Sequence, residues 1–174
     1  MASSRKVTCG LSLISGMWAL VATGTGAGEP ALWLRYPAIS PDGATVAFSY
    51  RGDIWTVSST GGPAVPLTVS AAHDFMPVWS PDGTRIAFAS DRYGNFDVFV
   101  MPAAGGEARR LTFHSADDFP QSFTPDGTAV LFSSARLDAA SNVQFPTGAQ
   151  PELYRVGLTG GMPVQVLTTP AIHA

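Results

Sequence analysis

The sequence predicts an all-β protein, a partial β-propeller of three four-stranded antiparallel blades. A Ser/Thr-Pro-Asp-Gly phrase occurs three times, at Ser40–Gly43, Ser80–Gly83 and Thr124–Gly127. The same apolar runs, glycine pairs and Leu-Thr endings surround each copy, with a period of about forty residues that is typical of repeat architectures. Each repeat should therefore form one structural unit.

The repeated phrase has the composition of a tight turn. Proline at its second position presets φ, aspartate is tolerated at the third, and glycine takes the left-handed conformation at the fourth. A Ser or Thr hydroxyl at the first position can bond the nearby backbone. We expect each copy, starting at Ser40, Ser80 and Thr124, to return the chain as a hairpin.

Two strand-like runs follow each turn, and a polar break separates them. The first runs are Val46–Phe48, Ile86–Phe88 and Val130–Phe132, and the second are Ile54–Val57, Val98–Met101 and Leu153–Val156. Each second run starts behind an acid, at Asp53, Asp97 and Glu152. In the first runs large apolar residues alternate with small ones rather than with charged ones, so we expect both faces of each sheet to be covered.

A glycine pair and a short final segment complete each repeat. The pairs are Gly61–Gly62, Gly105–Gly106 and Gly160–Gly161, and the segments end at Leu67–Thr68, Leu111–Thr112 and Leu167–Thr168. Four short antiparallel strands with both faces covered describe a propeller blade. A sandwich or barrel is the alternative for evenly spaced strands, but the fixed period favours the propeller.

These boundaries divide the chain into successive segments. We expect a signal peptide (1–27), a leader segment (28–35), blade 1 (36–74), blade 2 (75–118), blade 3 (119–170, with a hairpin insertion at about 137–150) and an end segment (171–174). Propellers close with about four to eight blades, so we expect a truncated chain, the first part of a longer polypeptide. Self-association of identical chains into a closed ring is the alternative.

The N-terminus has the layout of a secretory signal peptide. Arg5 and Lys6 precede an apolar stretch at 11–22, and small residues suggest cleavage after Ala27. This predicts a periplasmic or secreted protein with no membrane span after cleavage. The only cysteine, Cys9, lies before the apolar stretch, so neither lipidation nor a disulfide in the mature chain is expected.

The composition argues against a nucleic-acid partner. The net charge is −3 and 13% of the residues are charged, with no basic cluster, so we expect no nucleic-acid partner.

Residues that could carry chemistry have simpler structural interpretations. His73, His114 and His173 are spaced too widely for a metal site. Four acids could suggest calcium binding or paired carboxylates, although turns and strand starts account for most of them; these are Asp91, Asp97, Asp117 and Asp118. No Gly-x-Ser-x-Gly elbow or phosphate loop is present. We therefore predict no catalytic, cofactor-binding or metal-binding residue, and no cofactor.

Aromatic residues offer one further candidate surface. A sugar or peptide groove could be lined by Trp33, Trp55, Trp79, Tyr36, Tyr93 and Phe96. Trp55 and Trp79 occupy repeated strand positions and are expected in the core. Tyr93 and Phe96 lie in a predicted hairpin loop and are the better candidates for an exposed contact.

The residue sequence of the repeat resembles that of a known protein family. Trp79–Gly83, Ile86–Phe88, Ser90–Arg92, Gly105–Gly106 and Arg110–Thr112 are similar to the propeller repeat of TolB and of tricorn-type peptidases. The resemblance covers about residues 36–170. It is specific for the repeat but not for the function.

The resemblance is closest to the N-terminal propeller of secreted bacterial tricorn-type serine peptidases of the C-terminal-processing class. It rests on Leu32–Pro37, Ser90–Asp97, Leu111–Ser115 and Pro151–Tyr154. In that family a PDZ-like module and a serine peptidase domain follow the propeller. The resemblance implies that this segment supports, docks or gates peptides through rim loops or a channel, while the missing blades and catalytic domain supply the chemistry.

Two other functions stay open. One is a TolB-like periplasmic scaffold that binds proteins, although the residues at 28–37 leave no room for the α/β domain that precedes the propeller in TolB. The other is the propeller of a secreted amidohydrolase.

Overall fold

The computed structural model describes residues 33–136 and 151–167, and in these ranges all regular structure is β-strand. The predicted signal peptide, the insertion at about 137–150 and the end segment lie outside the described residues, as does His173. No helix in these ranges is long and apolar enough to cross a membrane.

Twelve strands form three four-stranded antiparallel sheets, each in sequence order. Blade 1 contains β1 (Arg35–Ile39), β2 (Thr45–Tyr50), β3 (Asp53–Ser58) and β4 (Val65–Pro66). Blade 2 contains β5 (Asp74–Trp79), β6 (Arg85–Ser90), β7 (Asp97–Pro102) and β8 (Arg109–Arg110). Blade 3 contains β9 (Asp118–Phe123), β10 (Ala129–Ser134), β11 (Glu152–Gly157) and β12 (Val164–Leu167). The predicted fold class, a partial β-propeller, is confirmed.

The repeated phrase forms the predicted turn between the first and second strands. In blade 1 the Gly43 N–H donates to the Ser40 carbonyl at 2.9 Å, and Gly43 has φ of +73°. The Ser40 hydroxyl accepts the Thr45 N–H at 2.9 Å. Ser80 and Thr124 repeat this bond at 2.9 and 3.1 Å. A side-chain bond therefore closes each hairpin at the first residue of its second strand.

The core lies between neighbouring blades, as the two-sided apolar pattern predicts. In β6 all four residues from Ile86 to Ala89 are fully buried. One cluster joins Ala47 and Ile54 of blade 1 to the larger residues Phe88 and Phe99 of blade 2. A second cluster joins blades 2 and 3 and includes Ala87, Val98, Phe132 and Tyr154. Small residues of one blade thus pack against aromatic rings of the next.

The antiparallel order gives the blades two different rims. The Pro-Asp-Gly turns and the glycine pairs lie at one end of the strands. The hairpins between second and third strands lie at the other end, together with the linkers that lead to the next blade, and we call this end the linker rim. There the Asp74 N–H donates to the Gly52 carbonyl at 2.7 Å, and the Asp118 N–H donates to the Phe96 carbonyl at 2.8 Å. These bonds connect each first strand to the preceding blade.

Candidate functional site

Blades 2 and 3 each contain a buried ion pair at the linker rim. Asp74 and Asp118 open β5 and β9, and both side chains are fully buried. Arg92 follows β6 and donates to Asp74 at 2.8 Å, while Arg136 follows β10 and makes the equivalent pair with Asp118. Each guanidinium also lies over two rings of its own blade, Phe88 and Phe99 for Arg92, and Phe132 and Tyr154 for Arg136.

A second polar cluster joins the third strand to the chain segment after the fourth strand, and it occurs in blades 1 and 2. Thr112 accepts the Val98 N–H at 2.9 Å and donates to Asp97 at 3.2 Å. Arg110 pairs with Asp97 at 2.6 Å. Burial raises the pKa of the Asp97 carboxyl and outweighs the lowering effect of Arg110. The acid that opens the third strand and the Leu-Thr ending, both evident in the sequence, are therefore partners.

Blade 1 departs from its neighbours where they carry the Asp–Arg pair. When the repeats are aligned on Pro-Asp-Gly, Leu34 replaces the aspartate and Gly52 replaces the arginine. Arg35 stands where Phe75 and Phe119 stand in the other blades, and Arg51 precedes Gly52. Blade 1 thus lacks the ion pair of its neighbours and has an arginine next to each of the two vacated positions.

These two arginines line a cleft of about 460 Å³ at the linker rim. We call it the mouth pocket, and its main lining residues are Trp33, Arg35, Tyr36, Arg51, His73 and Phe75. The first four come from blade 1, and the last two come from the linker and first strand of blade 2. The pocket therefore lies where the first strands of blades 1 and 2 begin.

Unusual backbone conformations concentrate at this pocket. Within the described ranges, four non-glycine residues have positive φ, and three of them line it: Trp33 (73°), Tyr36 (51°) and Arg51 (54°). The fourth, Met76 (55°), donates its N–H to the hydroxyl of Ser49, which also lines the pocket. Tyr36 and Met76 stand at the same position of the aligned repeats, where the register of the first strand shifts, and Arg51 and Gly52 form the two-residue hairpin loop between β2 and β3. These turns and bulges direct Arg51 and the nearby rings towards one cleft, which makes the pocket the strongest candidate site.

A partly exposed aromatic cluster borders the pocket. Phe75 is at its centre, with ring centroids 5.5 Å from Tyr36, 5.3 Å from His73, 4.8 Å from Phe96 and 5.8 Å from Phe119. Tyr36 is 44% exposed, and the phenylalanines are half-buried. These rings offer an apolar surface beside the two arginines, which is suited to peptide side chains.

The structure separates the two predicted contact residues. Phe96 joins the aromatic cluster, whereas Tyr93 is 65% exposed and lies over Arg110 at 4.4 Å, away from the mouth pocket. Trp55 and Trp79 are half-buried, and their indole N–H groups donate to the Tyr50 and Ala38 carbonyls at 3.1 and 3.0 Å. Trp79 also packs against the core cluster between blades 1 and 2.

The histidines and loop acids have local contacts. The His73 N–H donates to Asp91 at 2.7 Å, and the Phe96 N–H donates to Asp117 at 2.9 Å. His114 accepts the Ala116 N–H at its Nδ1 atom at 3.0 Å. In the described part of the chain, no three His, Cys, Asp or Glu side chains are grouped so that they could hold a metal ion.

The chain matches the sequence model of a known protein family. The model of the tricorn protease N-terminal β-propeller domain matches residues 31–174. The chain belongs to this family. Membership confirms the resemblance to the tricorn-type propeller repeat that the sequence shows.

Individual relatives cover only parts of the chain. An uncharacterized peptidase, YuxL, of Bacillus subtilis (strain 168) is 36% identical over 34% of this chain and 10% of its own length. A TolB homolog of Chlorobium luteolum (strain DSM 273 / BCRC 81028 / 2530) is 42% identical over 32% of this chain and 13% of its own length. The chain therefore spans a small share of the curated relatives that it matches.

Solved structures support the same fold. A putative TolB from Agrobacterium tumefaciens matches with a TM-score of 0.67 and 24% identity, over 79% of this chain and 50% of that one. The tricorn protease matches with a TM-score of 0.54 and 17% identity, over 72% of this chain and 14% of that one. At these identities the likeness shows the fold and not the activity.

Proposed function

We propose that these blades are the N-terminal propeller segment of a tricorn-like serine peptidase and that they dock peptides at the mouth pocket. The observation that carries the proposal is that Arg35 and Arg51 line one cleft together with the aromatic side chains of Trp33, Tyr36 and Phe75. Docking is a binding role that needs no catalytic group on this chain. The catalytic residues would lie elsewhere in the polypeptide.

Secretion is part of the same proposal. The layout of residues 1–27 would export the protein to the periplasm or the medium, with cleavage after Ala27. Expression of the full chain in a bacterial host, followed by N-terminal sequencing of the exported protein, tests this. Recovery of uncleaved protein in the cytoplasm alone would contradict it.

The docking role can be tested with the full chain and rhodamine-labelled peptides from a digest of an unstructured protein, by fluorescence anisotropy. Trp33→Ala should weaken binding, because the Trp33 side chain is 79% exposed and lines the mouth pocket. Tyr93→Ala is the matched control, since Tyr93 is 65% exposed but lies outside the pocket. An equal effect of the two changes, or no binding by the unaltered chain, would contradict the proposal.

A protein-binding scaffold of the TolB kind is the second candidate. It is favoured by the 42% identity with the TolB homolog of Chlorobium luteolum over 32% of this chain, against 36% with the YuxL peptidase over 34%. The coding sequence that accompanies these blades distinguishes the two candidates, since a serine peptidase domain in the same polypeptide supports the first and its absence supports the second.

A further inference from the structure

The charge of the mouth pocket follows from the way blade 1 departs from the repeat. At four aligned positions blade 2 has Asp74, Phe75, Asp91 and Arg92, and blade 3 has Asp118, Phe119, Ala135 and Arg136. Blade 1 has Leu34, Arg35, Arg51 and Gly52. The formal charge of these positions is therefore +2 in blade 1, −1 in blade 2 and 0 in blade 3.

Both arginines can act on the same bound group. Arg35 of β1 is the register partner of Ser49 of β2, and Arg51 lies two residues beyond Ser49. Arg51 lies in the two-residue loop directly after β2, beside the start of β1, where Arg35 is the first residue. Because Arg35 and Arg51 both line the mouth pocket, their long side chains can converge on one group.

Aromatic rings hold the two guanidinium groups. Arg35 lies 6.0 Å from the centroid of the Trp33 ring, and Arg51 lies 5.2 Å from that of Tyr50. Stacking on an aromatic face restricts a guanidinium without using its N–H donors. The donors thus stay available for an acceptor that enters the pocket.

Within residues 33–136 and 151–167, Arg35 and Arg51 make no ion pair, and the pocket lining contains no carboxylate. The nearby acids are engaged by other groups. Asp91 accepts the His73 N–H at 2.7 Å, and Asp53 accepts the Thr68 hydroxyl at 3.2 Å. Two cations with free donors therefore face a cleft that has aromatic walls.

We infer that the mouth pocket binds a carboxylate of the docked peptide between Arg35 and Arg51. This inference rests on the proposed peptide-docking function and specifies the chemistry that the site recognises. A planar carboxylate accepts paired N–H bonds from a guanidinium, and the neighbouring rings of Tyr36 and Phe75 contact the adjacent peptide side chains. The carboxylate can belong to an acidic side chain or to the C-terminus of the peptide.

Three peptides of equal length distinguish these sources. Each carries the same electrically neutral fluorophore without a carboxylate group, a BODIPY dye, and is tested against the full chain. The first has acidic side chains and an amidated C-terminus. The second has no acidic side chain and a free C-terminal carboxylate, and the third has neither. The first or the second should bind about tenfold more tightly than the third. The peptide that gains affinity identifies the source of the carboxylate.

The variants Arg35→Gln and Arg51→Gln should each remove this gain while leaving binding of the third peptide unchanged. Arg155→Gln is the matched control, because Arg155 is exposed on β11 of blade 3 and the change removes the same charge. Circular dichroism should show that all three variants keep the strand content of the unaltered chain, and raised salt should reduce the gain.

Two different results would overturn the inference, and they can be told apart. Equal affinity for the three peptides, or an equal loss in Arg155→Gln and in the two pocket variants, excludes carboxylate recognition but leaves peptide docking standing. No binding of any peptide overturns the proposed function together with the inference.

Discussion

The buried pair between Asp74 and Arg92 allows a quantitative test of how the blades are stabilised. Arg92→Met removes the guanidinium but keeps an apolar stem over the rings of Phe88 and Phe99. The Asp74 side chain is 0% exposed and would lose its only ion-pair partner in the described residues, whereas the Arg92 side chain is 26% exposed. The change therefore leaves an uncompensated carboxylate in the core.

The magnitude follows from that burial. Breaking a buried ion pair by removing one partner costs about 3–5 kcal/mol, and the partial exposure of Arg92 places the expected loss near the lower end, at about 3 kcal/mol. The double variant Asp74→Leu/Arg92→Met replaces the pair with apolar groups and should recover most of this loss. Blade 1 supplies the precedent, because Leu34 and Gly52 stand at the same positions.

Urea unfolding of the full chain, followed by circular dichroism, measures the free energy of unfolding of each variant. Arg155→Met is the control, because that exposed arginine has no ion-pair partner in the described ranges. A loss below about 1 kcal/mol in Arg92→Met would refute the reasoning, because it would mean that solvent already compensates the Asp74 carboxylate. A double variant no more stable than Arg92→Met would refute it equally.

Three further substitutions test the Thr112 hydrogen bonds, the Ser80–Asp82 turn and the backbone conformation of Arg51. Thr112→Val removes the acceptor of the Val98 N–H and a donor to Asp97, and should lower the free energy of unfolding by about 2 kcal/mol in the same urea assay. Ser80→Ala should raise the pKa of Asp82 from about 2 towards 3.8, because the Ser80 hydroxyl is the main cause of its lowering, and an NMR titration measures this directly. Since the folded pKa lies below the unfolded value, the stabilisation by ionised Asp82 is present above pH 3.8 and is lost as the pH falls through about 2. The variant should weaken this dependence but not abolish it, because the Thr84 N–H and hydroxyl still donate to Asp82. Arg51→Gly should raise the free energy of unfolding by about 1 kcal/mol, because glycine adopts the positive φ without strain, yet it should weaken peptide binding in the anisotropy assay.

The strands and turns could be predicted because their chemistry is local. The turn at Ser40–Gly43 is specified by adjacent residues, and its closing bond reaches only to Thr45. Alternation of large and small residues in Ile86–Ala89 is sufficient to indicate that both faces of β6 are covered, and all four residues are buried. The acids that begin the third strands form a visible sequence pattern. Their hydrogen bonds to Thr68 and Thr112 cannot be predicted from it, because those contacts depend on how the strands pair.

The mouth pocket could not be predicted in the same way. Arg35, Arg51 and His73 are brought together by the register of β1 with β2 and by the packing of β5 against both strands. Positive φ at Tyr36 and Arg51 has no reliable sequence signal, since neither residue type favours that region. The one available signal was the departure of blade 1 from the repeat, which becomes informative only when the Asp–Arg pair of the other blades is known.

That departure links stability to function in this fold. In blade 2 the charge of Arg92 is used within the blade, where Asp74 neutralises it and the rings of Phe88 and Phe99 hold it. In blade 1 the aspartate position holds Leu34, which is 43% exposed, so the two arginines that line the cleft have no carboxylate partner at that position. The backbone strain at Arg51 is a free-energy cost that the packing of its neighbours must offset. Replacing both arginines with the residues that blade 3 has at these positions, Arg35→Phe and Arg51→Ala, lowers the formal charge of the four positions from +2 to 0. This double change should weaken the binding of acidic peptides, while neutral peptides keep their affinity.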